Sequence, residues 1–291
     1  MRPGAPAGIR GGGHGFPVRG TAPEPVTSGS GPCPEMEKSL HATLNSAVTL
    51  RYVDDDPGAA PGRPPVLLLH GFGSTFELNW VRTGWTAALA AEGLRTIGPD
   101  LRGHGSSGKP RQDDAYLPGV FVADLVLLLD ELGVERADVV GYSMGSRLAW
   151  EFALTRPERV RRAALGGFGP RNAFAGTDLD DLESDDSPFG RLYRAVAELP
   201  GNDLAALAAC ARGQAARPFT EEPAPRSTPL LFVAGEEDEI ADGVERLARV
   251  SGAAGALRIA RRDHRTAVTA GAFKKAVLEF LADEAPISST A

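Results

Sequence analysis

Cysteine is nearly absent from the chain: 291 residues hold two, Cys33 and Cys210. That excludes a disulfide framework and fits a reducing, cytoplasmic setting. Long apolar runs are missing as well. No stretch approaches the roughly 18 apolar residues of a membrane span, so no membrane partner is expected. Arg2 and Arg10 are followed by no apolar segment, which argues against a secretory signal. Basic charge is in deficit, with 31 Lys and Arg against 38 Asp and Glu and a net charge of −7. A general nucleic-acid binder needs a basic face to displace counterions, so that class is set aside.

Glycine and proline are plentiful, at 35 and 23 residues, but unevenly spread. Residues 1–35 contain 9 Gly and 7 Pro and show no apolar periodicity. Such a segment buries too little surface to offset its ordering entropy, and it reads as a disordered tail. His14, alone among glycines, reads as solvated rather than as a metal ligand. Met36 stands where the ordered pattern begins and is expected to be the true start.

From Leu40 the pattern alternates. Leu40, Ala42 and Leu44, then Val48, Leu50 and Tyr52, form two period-2 runs around Asn45-Ser46 and predict a hairpin. Val66–Leu69 is a short continuous apolar run, as expected of a strand buried on both faces. Further strands are predicted at Leu94–Ile97, Ala137–Tyr142, Arg162–Gly167, Leu230–Ala234 and Leu257–Ala260. Helices are predicted at Trp80–Ala91, Leu117–Leu132, Ser146–Thr155, Val244–Val250 and Ala267–Leu281. Strands alternating with helices give an α/β fold, a doubly wound, mostly parallel sheet with an N-terminal antiparallel hairpin. The sixty residues from Pro170 to Pro229 contain no predicted strand. They hold an acidic run (Asp178 to Asp186), read as a solvated face, and helical stretches near 191–199 and 204–212. The expected organisation is a tail (1–35), a core (36–169 and 230–291) and a helical cap insertion (170–229).

The strongest chemical signal is Gly141-Tyr142-Ser143-Met144-Gly145, placed directly after a predicted strand and before a helix. A turn this sharp needs neighbours almost without side chains, and it lifts the Ser143 hydroxyl above the sheet. The bland reading is a glycine-rich turn with an incidental serine. A serine needs a base, and the base needs an orienting acid. His264, in the loop after the last predicted strand, is the expected base; otherwise it is a surface histidine among Arg261, Arg262 and Arg265. Asp238, after the strand Leu230–Ala234, is the expected acid, with Glu236, Glu237 and Glu239 as competitors and a helix-capping role as its bland reading. The oxyanion donors expected are the backbone N–H groups of Met144 and Phe72, the latter in His70-Gly71-Phe72-Gly73. His70 reads as a structural hydrogen-bonding residue of that loop.

His70–Gly73, the Asp100-Leu101-Arg102-Gly103-His104-Gly105-Ser106-Ser107 segment, Gly141–Gly145, Gly235 with Asp238, and His264 together resemble the α/β-hydrolase fold family. The resemblance covers about residues 40–283. It implies a serine hydrolase without metal or cofactor, a monomer or weak homodimer, acting on a small-molecule ester. The family's dehalogenases and epoxide hydrolases use Asp as nucleophile and its dienelactone hydrolases Cys, so Ser143 argues against these branches. The Asp100–Ser107 segment is usually a structural turn. The family often has Gly before the catalytic His, where this chain has Arg262-Asp263. Gly-Tyr-Ser-Met-Gly-x-Arg is similar to a menaquinone-pathway lyase in which the arginine binds a substrate carboxylate. Arg147 is therefore a substrate-binding candidate, against a plain i,i+4 pair with Glu151. Trp80 is a candidate wall of the acyl pocket, or else a core tryptophan. Phe168, Phe174, Phe189, Tyr193 and Phe219 are expected to line the pocket or to form the cap's own core. A carbon–carbon hydrolase or lyase, and a ligand receptor with a vestigial triad, are the alternatives to the esterase.

Overall fold

The computed structural model describes residues 1, 40–43, 48–59, 62–199 and 201–282. The expectations for the N-terminal tail, Met36 and the Asn45-Ser46 turn lie outside the described residues. Residues 37–291 form one unit, and the fold described is that of this unit alone.

Eight strands build one sheet: β1 (Leu40–Thr43), β2 (Thr49–Asp55), β3 (Val66–Leu69), β4 (Thr96–Pro99), β5 (Ala137–Tyr142), β6 (Val160–Gly166), β7 (Leu230–Gly235) and β8 (Ala256–Ile259). Their order is β1-β2-β4-β3-β5-β6-β7-β8. β1 pairs with β2, and β2 with β4, antiparallel. All later pairs are parallel. β3 and β5 are buried at every position, which is why β3 reads as an unbroken apolar run and β5 carries apolar side chains on both faces around a buried Asp138. The chain runs from β3 out to β4 and then back across to β5, so the order reverses at β3. Ligands of open α/β sheets bind beyond the carboxyl ends of strands at such a reversal.

Helices cover both faces. Leu67, Leu69, Val139 and Phe232 point into one core layer, shared with α2 (Pro118–Glu131), α3 (Met144–Thr155) and α6 (Val244–Ser251). Val66, Leu68, Val140 and Val233 point into the other, shared with α1 (Trp85–Ala91) and α7 (Gly271–Ala282). Between β6 and β7 the described residues contain no strand, but two helices, α4 (Pro188–Ala197) and α5 (Leu204–Ala215). Side chains cap both: Ser187 accepts from the Gly190 N–H and Asp203 from the Ala206 N–H.

Element boundaries shift by one to a few residues in several places, and three of the shifts have a clear local reason. The expected helix 80–91 is two pieces, a π-helical turn (Glu77–Val81) and α1, because Gly84 sits between them with φ 77°. The strand expected at Leu94–Ile97 starts two residues later, at Thr96. Gly93 (φ 66°) reverses the chain, and the Leu94 N–H donates to Leu89 O, so Leu94 closes α1 instead of opening β4. The last helix starts at Gly271 because Ala267–Thr269 is a separate 3-10 turn and Ala270 is extended.

Candidate active site

β5 ends at Tyr142 and α3 begins at Met144, so Ser143 alone makes the turn between them. Its backbone is forced to φ 54°, ψ −116°, a conformation L-residues rarely adopt. The flanking glycines explain how the turn is accommodated. A Cβ on Gly145 would stand 2.0 Å from Leu69 O, and one on Gly141 would stand 2.4 Å from Gly145 O. The turn is pinned to β6, where Gly166 O accepts from the Ser143 N–H (2.9 Å) and from Ser146 Oγ (2.8 Å).

Two loops from neighbouring strand ends complete the constellation. His264 follows β8 and brings Nε2 to 3.0 Å from Ser143 Oγ. Its Nδ1 lies 3.1 Å from each carboxylate oxygen of Asp238, which follows β7. The Asp238 side chain is wholly buried, and its Oδ1 also accepts from the N–H groups of Ile240 and Ala241. Those donors hold the carboxylate in one orientation. The competing Glu236, Glu237 and Glu239 are all exposed. Tyr142 Oη donates to His264 O at 2.6 Å and steadies the histidine from below. The position before the histidine is also built for the loop: Asp263 Oδ1 accepts from the N–H groups of Arg265 and Thr266. A carboxylate that fixes an imidazole, and an imidazole that accepts a serine proton, can together generate an alkoxide nucleophile.

The loop after β3 faces this serine. A Cβ on Gly71 would lie 3.5 Å from Ser143 Cβ, so the loop backbone there passes close to the Ser143 side chain. His70 supports the loop as a structural residue. Its Nδ1 meets Gly71 O (2.8 Å) and its Nε2 accepts from the Leu101 N–H (2.9 Å), which assigns the neutral Nδ1–H tautomer. Burial lowers its pKa, in keeping with that form. Asn79, unnoticed in the sequence, accepts the Gly71 N–H on Oδ1 at 3.1 Å. It stands one residue before the predicted helix 80–91, and nothing in the sequence there indicates which loop it reaches. Asp100 takes up the Phe76 and Ser106 N–H groups, and Arg102 forks onto Asp124 with both bonds at 2.6 Å. The Asp100–Ser107 segment is thus a buried structural turn.

The profile of the α/β hydrolase fold matches residues 64–209, half of the chain. The chain belongs to the α/β hydrolase fold family. Among curated relatives of this α/β hydrolase-fold chain, epoxide hydrolase 2 of Siraitia grosvenorii is 37% identical over 127 residues, 43% of this chain and 38% of the relative. Epoxide hydrolase B of Mycobacterium tuberculosis is 38% identical over 152 residues, 52% of this chain and 40% of the relative. The chain therefore spans about two fifths of the length of the curated relatives it matches. Among solved structures, the enol-lactonase from Burkholderia xenovorans superposes with a TM-score of 0.66 at 22% identity, over 84% of this chain and 100% of its own. Epoxide hydrolase A from Mycobacterium thermoresistibile gives 0.63 at 22% identity, over 83% of this chain and 98% of its own. At such identities the structures speak for the fold alone.

Within this α/β hydrolase fold, Trp80 is fully buried in the α1 and α7 layer, its ring edge-on to Trp85 at 5.4 Å. Among the described contacts Arg147 makes no ion pair with Glu151. Its guanidinium donates to Arg217 O, beyond α5. The expected cap aromatics pack mostly on one another, Phe168 on Phe219 at 4.8 Å and Phe174 on Phe189 at 4.6 Å. Phe189 also reaches Phe72 at 5.1 Å, which brings α4 against the loop over Ser143. Cys210 is buried, and burial pushes its thiol far above the range of a reactive cysteine.

Proposed function

We propose that the protein is a serine hydrolase that cleaves a small carboxylic ester through an acyl-enzyme. The observation that carries this reading is the continuous relay from Asp238 through His264 to Ser143 Oγ, on a strained turn. His264 Nε2 takes the hydroxyl proton as Oγ attacks the carbonyl carbon, and Asp238 stabilises the imidazolium. The N–H groups of Phe72 and Met144 receive the oxyanion. The tetrahedral intermediate collapses, the alcohol leaves with the proton from His264, and a water activated by the same histidine releases the acid.

Epoxide hydrolysis is the second reading, because the curated relatives carry that name. The nucleophile weighs against it. A carboxylate that opens an epoxide forms an ester, which water then cleaves. A serine oxygen would form an ether, which the same histidine and water leave intact. The two readings separate in one experiment. The purified chain is expected to hydrolyse p-nitrophenyl acetate, to be labelled by a fluorophosphonate, and to leave styrene oxide unchanged. Ser143→Ala should lose at least about 10⁴-fold in kcat and all labelling. Wild-type ester turnover by Ser143→Ala, or catalytic opening of the epoxide, would overturn the proposal.

A further inference from the structure

A groove of about 420 Å³ lies between the first turn of α2, one stripe of α3 and residues 217–220. Neither Ser143, Asp238 nor His264 lines it. The α3 residues on its wall, Arg147, Trp150, Glu151 and Leu154, follow helical spacing and present one continuous strip. We propose that this groove is a second binding site, separate from the triad, for a small amphipathic monocarboxylate.

Arg147 is the first reason. Its guanidinium carries five N–H donors, and the structure gives it a hydrogen bond to Arg217 O and, among the described residues, no ion pair. The guanidinium is partly withdrawn from water, which pulls its pKa down to about 10 although the nearby Glu151 charge acts the other way. Trp150 is the second reason. It is 1% exposed, and its indole N–H has no hydrogen-bond partner. Buried donors are rarely left so. α2 adds a third contribution: it is 14 residues long, its first turn forms one wall, and no side chain caps that end. The positive end of its dipole faces the same space.

Charge and surface narrow the ligand. Arg147 and Arg217 against Glu151 leave one net positive charge on the walls, which suits a monoanion better than a phosphate dianion. A carboxylate matches the planar fork of an arginine. The rest of the wall is apolar. Phe219 meets the Trp150 ring at 5.5 Å, and Leu154 and Val120 continue that surface, so the ligand's body is hydrocarbon. The volume falls within the roughly 300–1,000 Å³ typical of small-ligand sites.

Octanoate is the probe. Titrated into the full chain by calorimetry, it is expected to bind with one equivalent and to change tryptophan fluorescence, a change absent in Trp150→Phe. Arg147→Met should weaken binding by at least about 10-fold, and Glu151→Gln should tighten it by about 3-fold or more. 1-Octanol should bind at least about 10-fold more weakly than octanoate. Prior blocking of Ser143 with phenylmethylsulfonyl fluoride should leave octanoate affinity unchanged. This holds whether or not the chain is an esterase, so the proposal stands apart from the chemistry at Ser143. No saturable binding below millimolar concentration, equal binding of octanol, or loss of binding on blocking Ser143 would overturn it. If Arg147→Met does not fold, an unchanged affinity in Glu151→Gln overturns it equally.

Discussion

The loops at the carboxyl ends of the strands and the segment between β6 and β7 are held in place by different means. The strand-end loops are fixed by buried, directional contacts. Gly145 packs on Leu69 O, Asp100 gathers backbone N–H groups, and Arg102 and Asp124 are 2% and 3% exposed. The β6–β7 segment is attached by apolar burial, with Phe189, Leu207 and Cys210 packed in the core layer, and by polar contacts at its edge. Arg111–Asp203 and Arg212–Asp113 are partly or fully exposed pairs, and Asn202 and Phe189 touch the loop over Ser143 from outside. The difference is that between a platform fixed by buried directional polar contacts and a cover held by non-directional apolar packing with exposed polar contacts at its edge. A cover of the second kind can change its lining without disturbing the turn that carries the serine.

Single substitutions test that contrast. The largest effect is expected in the platform. Asp124→Ala leaves the Arg102 guanidinium buried without its carboxylate and should cost about 3–5 kcal/mol in a denaturant melt. A loss below about 1 kcal/mol would mean that the turn is not held as described. Next comes acid sensitivity. His104 is fully buried, and burial lowers its pKa to about 3, against about 6.5 for an exposed histidine. The unfolded chain therefore binds a proton that the folded chain refuses between those values. Stability should fall as pH drops below 6.5, by up to about 1.4 kcal/mol per unit from this group. His104→Gln should show a flatter acid limb when stability is measured between pH 7 and 4. The smallest effect is expected in the cover. Asn202→Ala removes two hydrogen bonds, to Gly73 O and Val196 O. It should cost about 1 kcal/mol in stability and alter kcat/KM for p-nitrophenyl acetate only a few-fold. A loss as large as that of Asp124→Ala would erase the distinction between the two regions.

Legibility divides along a similar line. Gly141, Ser143 and Gly145 were readable because the turn's steric demand acts on neighbours in sequence. His264 and Asp238 were readable because each follows a strand, and parallel strands deliver their ends to one edge. The choice of Asp238 over its glutamate neighbours rested on order alone, and burial now separates them. Asn79, Trp80 and Arg147 were not readable in their actual places. Asn79 reaches a loop eight residues back, Trp80 packs edge-on against Trp85 of the next helix, and Arg147 reaches across 70 residues to Arg217.

By itself, then, the sequence determined the alternation of strands and helices, the glycine-flanked turn and the strand ends that carry Ser143, Asp238 and His264. Each follows from local sterics or from the period of side chains along a strand or helix. Tertiary structure decided the rest: that the relay distances close at about 3 Å, that Trp80 serves the core, and that Arg147 opens on a groove of its own. Those outcomes depend on which faces of distant segments meet, and packing selects the faces only once the sheet has formed.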